Sequence, residues 1–358
     1  MRKISELRKG MKKQGIDCLA IVPGPNLYYI TSKKFHLSER PVVLFIEQNS
    51  LTFILPELES QKLSGLDVEF LTYSDALGPQ KIFDDFLEDK IFGRIGVESR
   101  IMRHLELNLI HRNKSEIIDS MFLFADLRTK KSKDEIEMIQ KAVIIAENSL
   151  NKIIGKLNSG ISEKGFASQL VMELLKNGSE SDLPFSPIVA SGSNGANPHH
   201  FPTDKIIESN ELVIIDWGAN YQGYFSDITR TFATGKSIDS KLLDAFESVR
   251  LANTAARERS VSGVTAGDVD FAARSIIDER GFGDYFIHRT GHGLGLEIHE
   301  EPNIKQNEDF ILSEGNIYTI EPGIYLPELG GIRIEDDVLI ESSGSRSLTT
   351  LPRDLMYL

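Results

Sequence analysis

A weak internal repeat is the feature that most limits how this chain can fold. The segment SGIS at 159–162 precedes a helical stretch that ends at Gly178, and SGVT at 262–265 precedes another that ends at Gly281. In each copy a Ser or Thr is a good N-cap, and the glycine suits the position just after a helix. A pair of β-rich runs with two acidic residues follows each helix. The pattern predicts a duplicated domain with pseudo-twofold symmetry.

The residues before the repeat follow a different pattern. A charged amphipathic stretch over 4–14 precedes a short apolar run and two β-rich runs, PVVLFIEQ and SLTFILP, which is typical of a small α/β domain. Ser132 and Glu135 then form a capping box at the start of a long helix with an apolar stripe. We therefore predict one domain over 1–128 and a second over 129–358.

Composition limits the partners and the compartment. The 358 residues are 41% hydrophobic, enough for a sizeable core, and their net charge of −13 repels phosphate backbones and anionic bilayers. Neither nucleic acid nor a membrane is an expected partner. Cys18 is the single cysteine, so no intrachain disulfide can form, and the N-terminal residues are charged where a secretory signal is apolar. These features predict a cytoplasmic protein.

The β-rich runs are expected to bring acidic side chains face to face. A tight turn over NYQG sets Asp216 opposite Asp227, unless a bulge shifts the pairing, because Tyr221-Gln222 is not a favoured two-residue turn. A turn centred on PEL sets Glu321 opposite Glu335. Opposed like charges in apolar surroundings destabilise a sheet. A divalent cation removes the repulsion, and an oxygen-rich set suits Mn²⁺, Co²⁺ or Fe²⁺ better than a thiolate zinc site does.

Histidines are concentrated in one glycine-rich segment, HRTGHGLGLEIHE, which contains His288, His292 and His299. Glycines permit a close approach of the backbone to a site. The segment lacks the Glu of a helical zinc-protease motif, and spacing alone does not select the ligand. His199 lies in a second polar loop, SGSNGANPHH, which is suited to presenting an imidazole to a substrate. Trp217, beside the first acid pair, is expected to pack in the core.

Together these motifs resemble the creatinase/methionine aminopeptidase superfamily, and within it the prolidase and aminopeptidase P branch. SGSNGANPHH, DWG with SDITRT, HRTGHGLGLEIHE, EPGIY and GIRIEDD occur in the family order. The resemblance implies an α+β fold. A duplicated, pseudo-twofold "pita-bread" catalytic domain would follow a smaller α/β creatinase-type domain, which in the family helps to form dimers.

The resemblance also implies a metal site of five ligands. Asp216 would bind one metal, His292 and Glu321 the other, and Asp227 and Glu335 would bridge both. Two divalent ions per chain are implied, with Mn or Co favoured and Zn or Fe as alternatives.

The same resemblance implies roles for residues around the metals. His199 and His299 would contact the substrate and the transition state, and Glu321 would relay a proton to the leaving proline nitrogen. His288 would support the site, and Arg333 would belong to the network of the bridging ligand two residues away.

The implied activity is hydrolysis of the Xaa-Pro bond in short peptides by a homodimeric Xaa-Pro dipeptidase (prolidase). Aminopeptidase P, which trims longer peptides, is the main alternative, because Asn303 occupies a position where some prolidases have a carboxylate-binding arginine. His36 and Arg40 in KKFHLSERP are candidates to reach a substrate terminus across a dimer, although a solvated loop is the simpler interpretation. A metal-free creatinase-type hydrolase and an inactive binding homologue are disfavoured, because all five ligands are present.

Overall fold

The structure is a computed structural model that describes residues 2–111, 115–158 and 160–358. Ser159, part of the first predicted cap segment, lies outside the described residues. The chain divides into two compact units, Met1–Arg128 and Thr129–Leu358. Among the described residues, no helix is long and apolar enough to cross a membrane.

The first unit is built on a six-stranded mixed sheet with the strand order β4-β3-β2-β1-β5-β6. Its elements are α1 (Arg2–Gln14), β1 (Cys18–Ile21), α2 (Pro25–Thr31), β2 (Val43–Glu47), β3 (Leu51–Pro56), β4 (Glu69–Tyr73), α3 (Gln80–Glu88), β5 (Arg94–Val97), α4 (His104–Ile110), β6 (Glu116–Asp119) and α5 (Met121–Thr129). Strand β1 pairs antiparallel with β2 and parallel with β5. Leu19 and Ile21 enter one core while Cys18 and Ala20 enter another, because successive side chains of a strand point to opposite faces.

The second unit contains two helix pairs, each followed by a sheet. Its elements are α6 (Lys133–Ile153), α7 (Glu163–Lys176), β7 (Ile188–Ser191), β8 (Leu212–Trp217), β9 (Asn220–Tyr221), β10 (Tyr224–Phe225), β11 (Ile228–Ala233), α8 (Ser240–Arg259), α9 (Ala266–Glu279), β12 (Gly291–Gly293), β13 (Glu300–Ile304), β14 (Ile317–Ile320), β15 (Gly323–Leu326), β16 (Gly330–Arg333), β17 (Asp336–Glu341), β18 (Gly344–Ser347) and β19 (Met356–Tyr357). The sheets have the orders β19-β11-β8-β7 and β13-β12-β14-β17-β18, and β9–β10 and β15–β16 form separate hairpins. The first sheet is antiparallel except for the parallel pair β11–β19, and the second is antiparallel. The predicted duplicated α+β architecture is confirmed.

The predicted helix caps are present in the second unit. Ser132 forms the capping box of α6, Ser162 caps α7, and Thr265 caps α9 with its side chain accepting a backbone N–H. Gly178 and Gly281 follow α7 and α9 with φ values of 103° and 80°, a left-handed conformation that favours glycine. Local hydrogen-bonding chemistry therefore determines where these helices begin and end.

The predicted register of the second acid pair is confirmed. Ile320 pairs with Asp336 in β14–β17, and Gly323 pairs with Arg333 in β15–β16. The same register runs through both segments, so Glu321 and Glu335 lie opposite each other between them. The Glu321 N–H donates to Thr290 O at 2.8 Å and the Glu335 N–H to Thr229 O at 3.0 Å. The two strands thus separate locally at Glu321 and Glu335, whose backbone N–H groups bond to neighbouring segments.

The predicted register of the first acid pair is wrong by two residues. Asp216 pairs with Thr229, not with Asp227. The turn is centred on Gln222 and Gly223, with φ values of 51° and 81°, which is a conformation that glutamine rarely adopts and that the sequence did not predict. Because a shift of two residues keeps side chains on the same face, Asp227 remains a diagonal neighbour of Asp216. Trp217 is fully buried, as expected.

Candidate metal centre

Acidic side chains and one imidazole converge in the second unit. Ligand atoms of Asp227, His292 and Glu335 all lie within 4.8 Å of one another, and the three residues are buried. His292 Nε2 lies 3.6 Å from Asp227 Oδ2 and 3.3 Å from Glu321 Oε1. Asp216, near the end of β8, lines the same cavity. All five ligands implied by the resemblance therefore surround one space.

The ring of His292 is oriented as a ligand. Its Nδ1 lies 3.1 Å from the carbonyl oxygen of Gly293, which can only accept a hydrogen bond, so Nδ1 carries the proton and Nε2 presents its lone pair to the carboxylates. Burial lowers the pKa of His292 well below its usual value, which keeps the ring neutral. His292 lies in the short strand β12, not on a helix.

The carboxylates are buried against one another with little compensating charge. Burial, then the adjacent carboxylates, raise the pKa of Asp227 and of Glu335 well above the usual range. Burial raises the pKa of Glu321 to about 7, although Arg333 opposes the shift. The Arg333 guanidinium donates from Nη2 to Asp216 Oδ2 at 2.8 Å. Among the described residues, Arg333 is thus the arginine that forms an ion pair with one of the four acidic groups.

These residues fit a divalent cation. Asp216 Oδ1 is buried and accepts no hydrogen bond from any residue in the described part of the chain. A buried carboxylate oxygen without a donor is costly, and a cation in the cavity would satisfy it. Four carboxylates and one neutral imidazole are a donor set for hard or borderline divalent ions. The site contains no thiolate, since Cys18 is buried in the first unit.

A hydrogen-bond network supports the carboxylates from behind. Arg333 Nε donates to Thr229 Oγ1 at 3.1 Å, and Thr229 Oγ1 donates to Glu335 Oε2 at 2.6 Å. Arg333 Nη1 also donates to the Tyr325 hydroxyl at 2.8 Å, which lies 2.9 Å from His288 Nε2. Burial lowers the pKa of His288 to about 4, so its ring is neutral and accepts from Tyr325. The Tyr325 hydroxyl therefore links Arg333 to His288 by two hydrogen bonds.

The remaining histidines lie at the mouth of the site. His199 lines the cavity and is exposed. The adjacent His200 also contributes to the lining, but its Nε2 lies 2.9 Å from Glu163 Oε2. The ring of His299 packs edge-on against that of His292, with 4.3 Å between the ring centroids. Both His199 and His299 can therefore reach a molecule bound beside the carboxylates.

The cavity around these groups has a volume of about 650 Å³, which is in the range of small-molecule sites. Aromatic and aliphatic side chains form one part of its wall, and titratable groups form the other. The apolar lining consists of Phe185, Ile188, Pro198, Phe201, Ile287 and Ile298. Such a cavity suits a short peptide with an apolar residue.

The candidate residues of the first unit are not part of this cavity lining. Arg40 is exposed and forms an ion pair with Asp75, its Nε donating to Asp75 Oδ1 at 2.8 Å. Neither Arg40 nor His36 is among the residues that line the cavity. A role for them across a dimer stays a prediction.

Comparison with known proteins identifies the family of the chain. Residues 137–342 match metallopeptidase family M24, and residues 3–130 match the creatinase/prolidase N-terminal domain. The first match alone covers more than half of the chain. The chain belongs to metallopeptidase family M24. This confirms the resemblance inferred from the motifs, and members of such a family use divalent metal ions.

Individual relatives cover the whole length of this M24 metallopeptidase. The Xaa-Pro dipeptidase of Pyrococcus furiosus is 38% identical, with 99% of each chain covered. The prolidase structure from Thermococcus sibiricus is 36% identical, with a TM-score of 0.94 and coverage of 100% of this chain and 98% of that one. The X-Pro aminopeptidase structure from Thermotoga maritima is 30% identical, with a TM-score of 0.83 and coverage of 96% and 98%. Both branches of the predicted subfamily are therefore represented.

Several residues of the M24 site were not singled out from the sequence. Tyr325 and Thr229 lie within the motifs EPGIY and SDITRT, so motif membership was the available signal. Asp337 accepts the Asp227 N–H at 3.2 Å, and Glu163 holds the His200 ring from a distant helix. Arg289 lines the cavity beside the metal ligands. No spacing rule in the sequence indicates these last contacts.

Proposed function

We propose that this metallopeptidase hydrolyses the peptide bond before proline in Xaa-Pro peptides, and acts first of all as an Xaa-Pro dipeptidase. The observation that carries the proposal is the set of buried, largely unneutralised carboxylates in the wall of a cavity of about 650 Å³. The similarity to relatives named Xaa-Pro dipeptidase and prolidase supports the choice of substrate.

In this proposal two divalent ions are held by Asp216, Asp227, His292, Glu321 and Glu335. By the family resemblance, Asp227 and Glu335 would serve both ions, Asp216 would hold one of them, and His292 with Glu321 would hold the other. When bound, such ions lower the pKa of a water molecule and stabilise negative charge on the carbonyl oxygen. Manganese or cobalt is proposed, with zinc or iron as alternatives, because oxygen ligands dominate the set.

The chain's own groups bind and orient the peptide. His199 and His299 lie on the open side of the site, where their N–H groups can donate to the scissile carbonyl as its oxygen gains charge. The apolar wall that includes Phe185 and Phe201 excludes water from the bound residue. Arg333 and Thr229 keep the Glu335 and Asp216 carboxylates in place.

Glu321 is proposed to move the proton. In the metal-free site burial raises the pKa of its carboxyl group to about 7, and a bound cation would favour the carboxylate form, which can accept a proton from water and pass it on. Its Oε1 faces His292 Nε2 at 3.3 Å, so the group lies at the reacting side of the cavity. Transfer of a proton from this carboxyl to the proline nitrogen would release the product.

Aminopeptidase P activity is the second candidate. The resemblance to the Thermotoga maritima X-Pro aminopeptidase supports it, as does Asn303 at a position where some prolidases have an arginine. A homodimer and a cytoplasmic location are further proposals from the resemblance and from the single cysteine.

The test compares Ala-Pro with Ala-Pro-Ala as substrates of protein loaded with Mn²⁺, Co²⁺ or Zn²⁺. We expect cleavage only with metal, and faster cleavage of the dipeptide. Preference for the tripeptide would assign the chain to the aminopeptidase P activity. If both peptides remained intact while the protein bound two Mn²⁺ ions per chain, the peptidase proposal would be wrong.

A further inference from the structure

One ion pair in helix α9 contacts the segment of chain that leads into the metal site. Asp270 and Arg274 lie one turn apart on α9, and Arg274 Nε and Nη2 donate to the two carboxylate oxygens of Asp270 at 3.0 and 3.1 Å. The Asp270 side chain is fully buried, whereas that of Arg274 is 15% exposed. Such a bidentate pair has a defined geometry, because the planar guanidinium matches the carboxylate.

The ion pair binds three alternate residues of the segment that leads to β12. Arg274 Nη1 donates to the Phe286 carbonyl oxygen at 3.1 Å, and Nη2 donates to the His288 carbonyl oxygen at 2.9 Å. Asp270 Oδ1 accepts from the Thr290 hydroxyl at 2.7 Å and from the Thr290 N–H at 3.2 Å. The guanidinium also lies over the Phe286 ring, 4.1 Å from its centroid. The backbone is therefore restrained at three successive points.

The restrained segment is connected to the metal site at two positions. His288 Nε2 accepts from the Tyr325 hydroxyl at 2.9 Å. The Thr290 carbonyl oxygen accepts the Glu321 N–H at 2.8 Å. Two residues after Thr290 the chain reaches His292 in β12. The backbone that the ion pair restrains is therefore the backbone that places the His288 ring and the main chain of Glu321.

We propose that Asp270 and Arg274 are positioning residues, which hold His288 and Glu321 in the arrangement that turnover requires. The inference rests on the proposed peptidase function and deepens it. Neither residue of the ion pair belongs to the lining of the metal-site cavity, so their effect passes through the backbone of residues 286–290. A displacement of reacting groups by about 1 Å can lower a rate by about a hundredfold.

A second cavity makes this role distinguishable from a merely structural one. Asp270 and Arg274 line a cavity of about 400 Å³. In the described part of the chain, the other charged residues of its lining are acidic: Asp268, Asp278, Glu308 and Asp309. In Arg274→Ala the buried Asp270 carboxylate loses its cation, and this cavity gives an added guanidinium ion a path to it. Ethylguanidinium contains the atoms that the substitution deletes.

The test measures kcat and KM for Ala-Pro at saturating Mn²⁺, for the wild type and Arg274→Ala, with and without ethylguanidinium. We expect Arg274→Ala to lower kcat by about tenfold to a hundredfold with little change in KM, because the cavity lining is kept. Ethylguanidinium should restore most of the lost kcat. Arg250→Ala, which removes an ion pair with Glu247 within helix α8, is the matched control and should keep the wild-type kcat with and without the added ion.

Rescue by the added ion separates positioning from a general loss of stability. A guanidinium ion weakens folding in general, so it would not restore a protein that is merely unfolded. Wild-type kcat in Arg274→Ala, or a loss of kcat that ethylguanidinium leaves unchanged, would overturn the proposal.

Arg274→Lys covers the case in which Arg274→Ala does not fold. Lysine keeps a positive charge opposite Asp270, but its single ammonium group does not reproduce the planar fork that binds the carboxylate and two carbonyl oxygens. Its kcat should lie between those of the wild type and Arg274→Ala, at a KM close to that of the wild type. A wild-type kcat in Arg274→Lys would contradict the role of the fork.

Hydrogen exchange tests the same positioning in the metal-free protein without any turnover. In Arg274→Ala the amides of Thr290 and Glu321 should exchange faster than in the wild type, and ethylguanidinium should slow them again. Exchange of both amides at wild-type rates would show that the ion pair does not hold the segment. Failure of the proposed peptidase function would be seen separately, as absence of Ala-Pro cleavage by the wild type.

Discussion

His200 Nε2 lies 2.9 Å from Glu163 Oε2, which joins the loop that carries His199 to the first turn of helix α7. The Glu163 carboxylate is fully buried. It also accepts from the Ser191 N–H at 2.8 Å and the Thr203 N–H at 3.1 Å, at the two ends of the loop. One carboxylate therefore determines how the loop presents His199 to the cavity.

Replacing this carboxylate should loosen the loop. Burial alone would raise the pKa of Glu163, but hydrogen bonds from Ser191, Asn194, His200 and Thr203 outweigh burial and lower it to about 2. We expect Glu163→Gln to reduce the free energy of unfolding by about 1–3 kcal/mol, because buried donors lose a charged acceptor. Activity should fall through both KM and kcat. Denaturant unfolding and peptide kinetics are the measurements.

The loss of stability caused by Glu163→Gln should be largest above pH 4.5 and smaller at lower pH. The folded-state pKa is below the ordinary value of 4.5, so the stabilisation is present above pH 4.5 and is lost as the pH falls toward 2. The difference between the wild type and the variant should shrink over that window. Glu173→Gln, which removes an i,i+3 ion pair with the exposed Lys176 on the same helix, is the control and should change the free energy of unfolding far less. A pH-independent difference would contradict the charge argument.

Asp227→Asn should have opposite effects on activity and on metal-free stability. Loss of a proposed bridging ligand should lower kcat/KM by more than about a hundredfold. This is more than the loss expected when a residue that hydrogen-bonds to a metal ligand is replaced. In the metal-free protein at pH 7, the free energy of unfolding of the variant should be about 1 kcal/mol higher, because like-charge repulsion is removed. The variant should therefore unfold at a higher denaturant concentration. Near-normal turnover would exclude Asp227 from the bridging role.

Metal removal should make stability depend on pH. Burial raises the pKa of Glu321 in the folded protein from 4.5 to about 7, so its contribution is complete below pH 4.5 and is lost as the pH rises through 7. Chelated protein should therefore lose about 1 kcal/mol per pH unit between these values. Protein loaded with Mn²⁺ should show a flatter profile. Denaturant unfolding at several pH values compares the two forms, and identical profiles would contradict the prediction.

Thr229→Val should weaken the site without removing a ligand. The Thr229 hydroxyl links Arg333 Nε to Glu335 Oε2, at 3.1 and 2.6 Å. We expect a loss of about tenfold to a hundredfold in metal affinity or activity, as for other residues that hydrogen-bond to metal ligands. Thr31→Val, whose hydroxyl donates to the Leu27 carbonyl oxygen and accepts from the Lys33 N–H in the first unit, is the matched control. Equal metal titrations for the wild type and Thr229→Val would show that the hydroxyl does not orient Glu335.

Features that depend on neighbouring residues along the chain could be predicted from the sequence. Ser132 and Thr265 cap their helices through hydrogen bonds that reach three residues ahead, so residue type and spacing predict them. The register of Glu321 against Glu335 follows from a short hairpin with two glycines. Apolar runs with embedded acids indicated a charged site in a buried sheet, which is why the four acidic candidate ligands could be proposed from the sequence.

Features that depend on distant partners became apparent only from the folded structure. The turn at Gln222 has a left-handed conformation, which moved Asp227 two residues from its expected partner. Glu163 meets His200, and Arg289 meets Asn303, across stretches of chain whose spacing carries no periodic signal. A hydrogen bond between remote residues forms because packing brings them together, and a one-dimensional pattern contains no measure of that distance. The acidic residues that line the cavity could therefore be predicted from the sequence, whereas the distant residues that hold them in place could not.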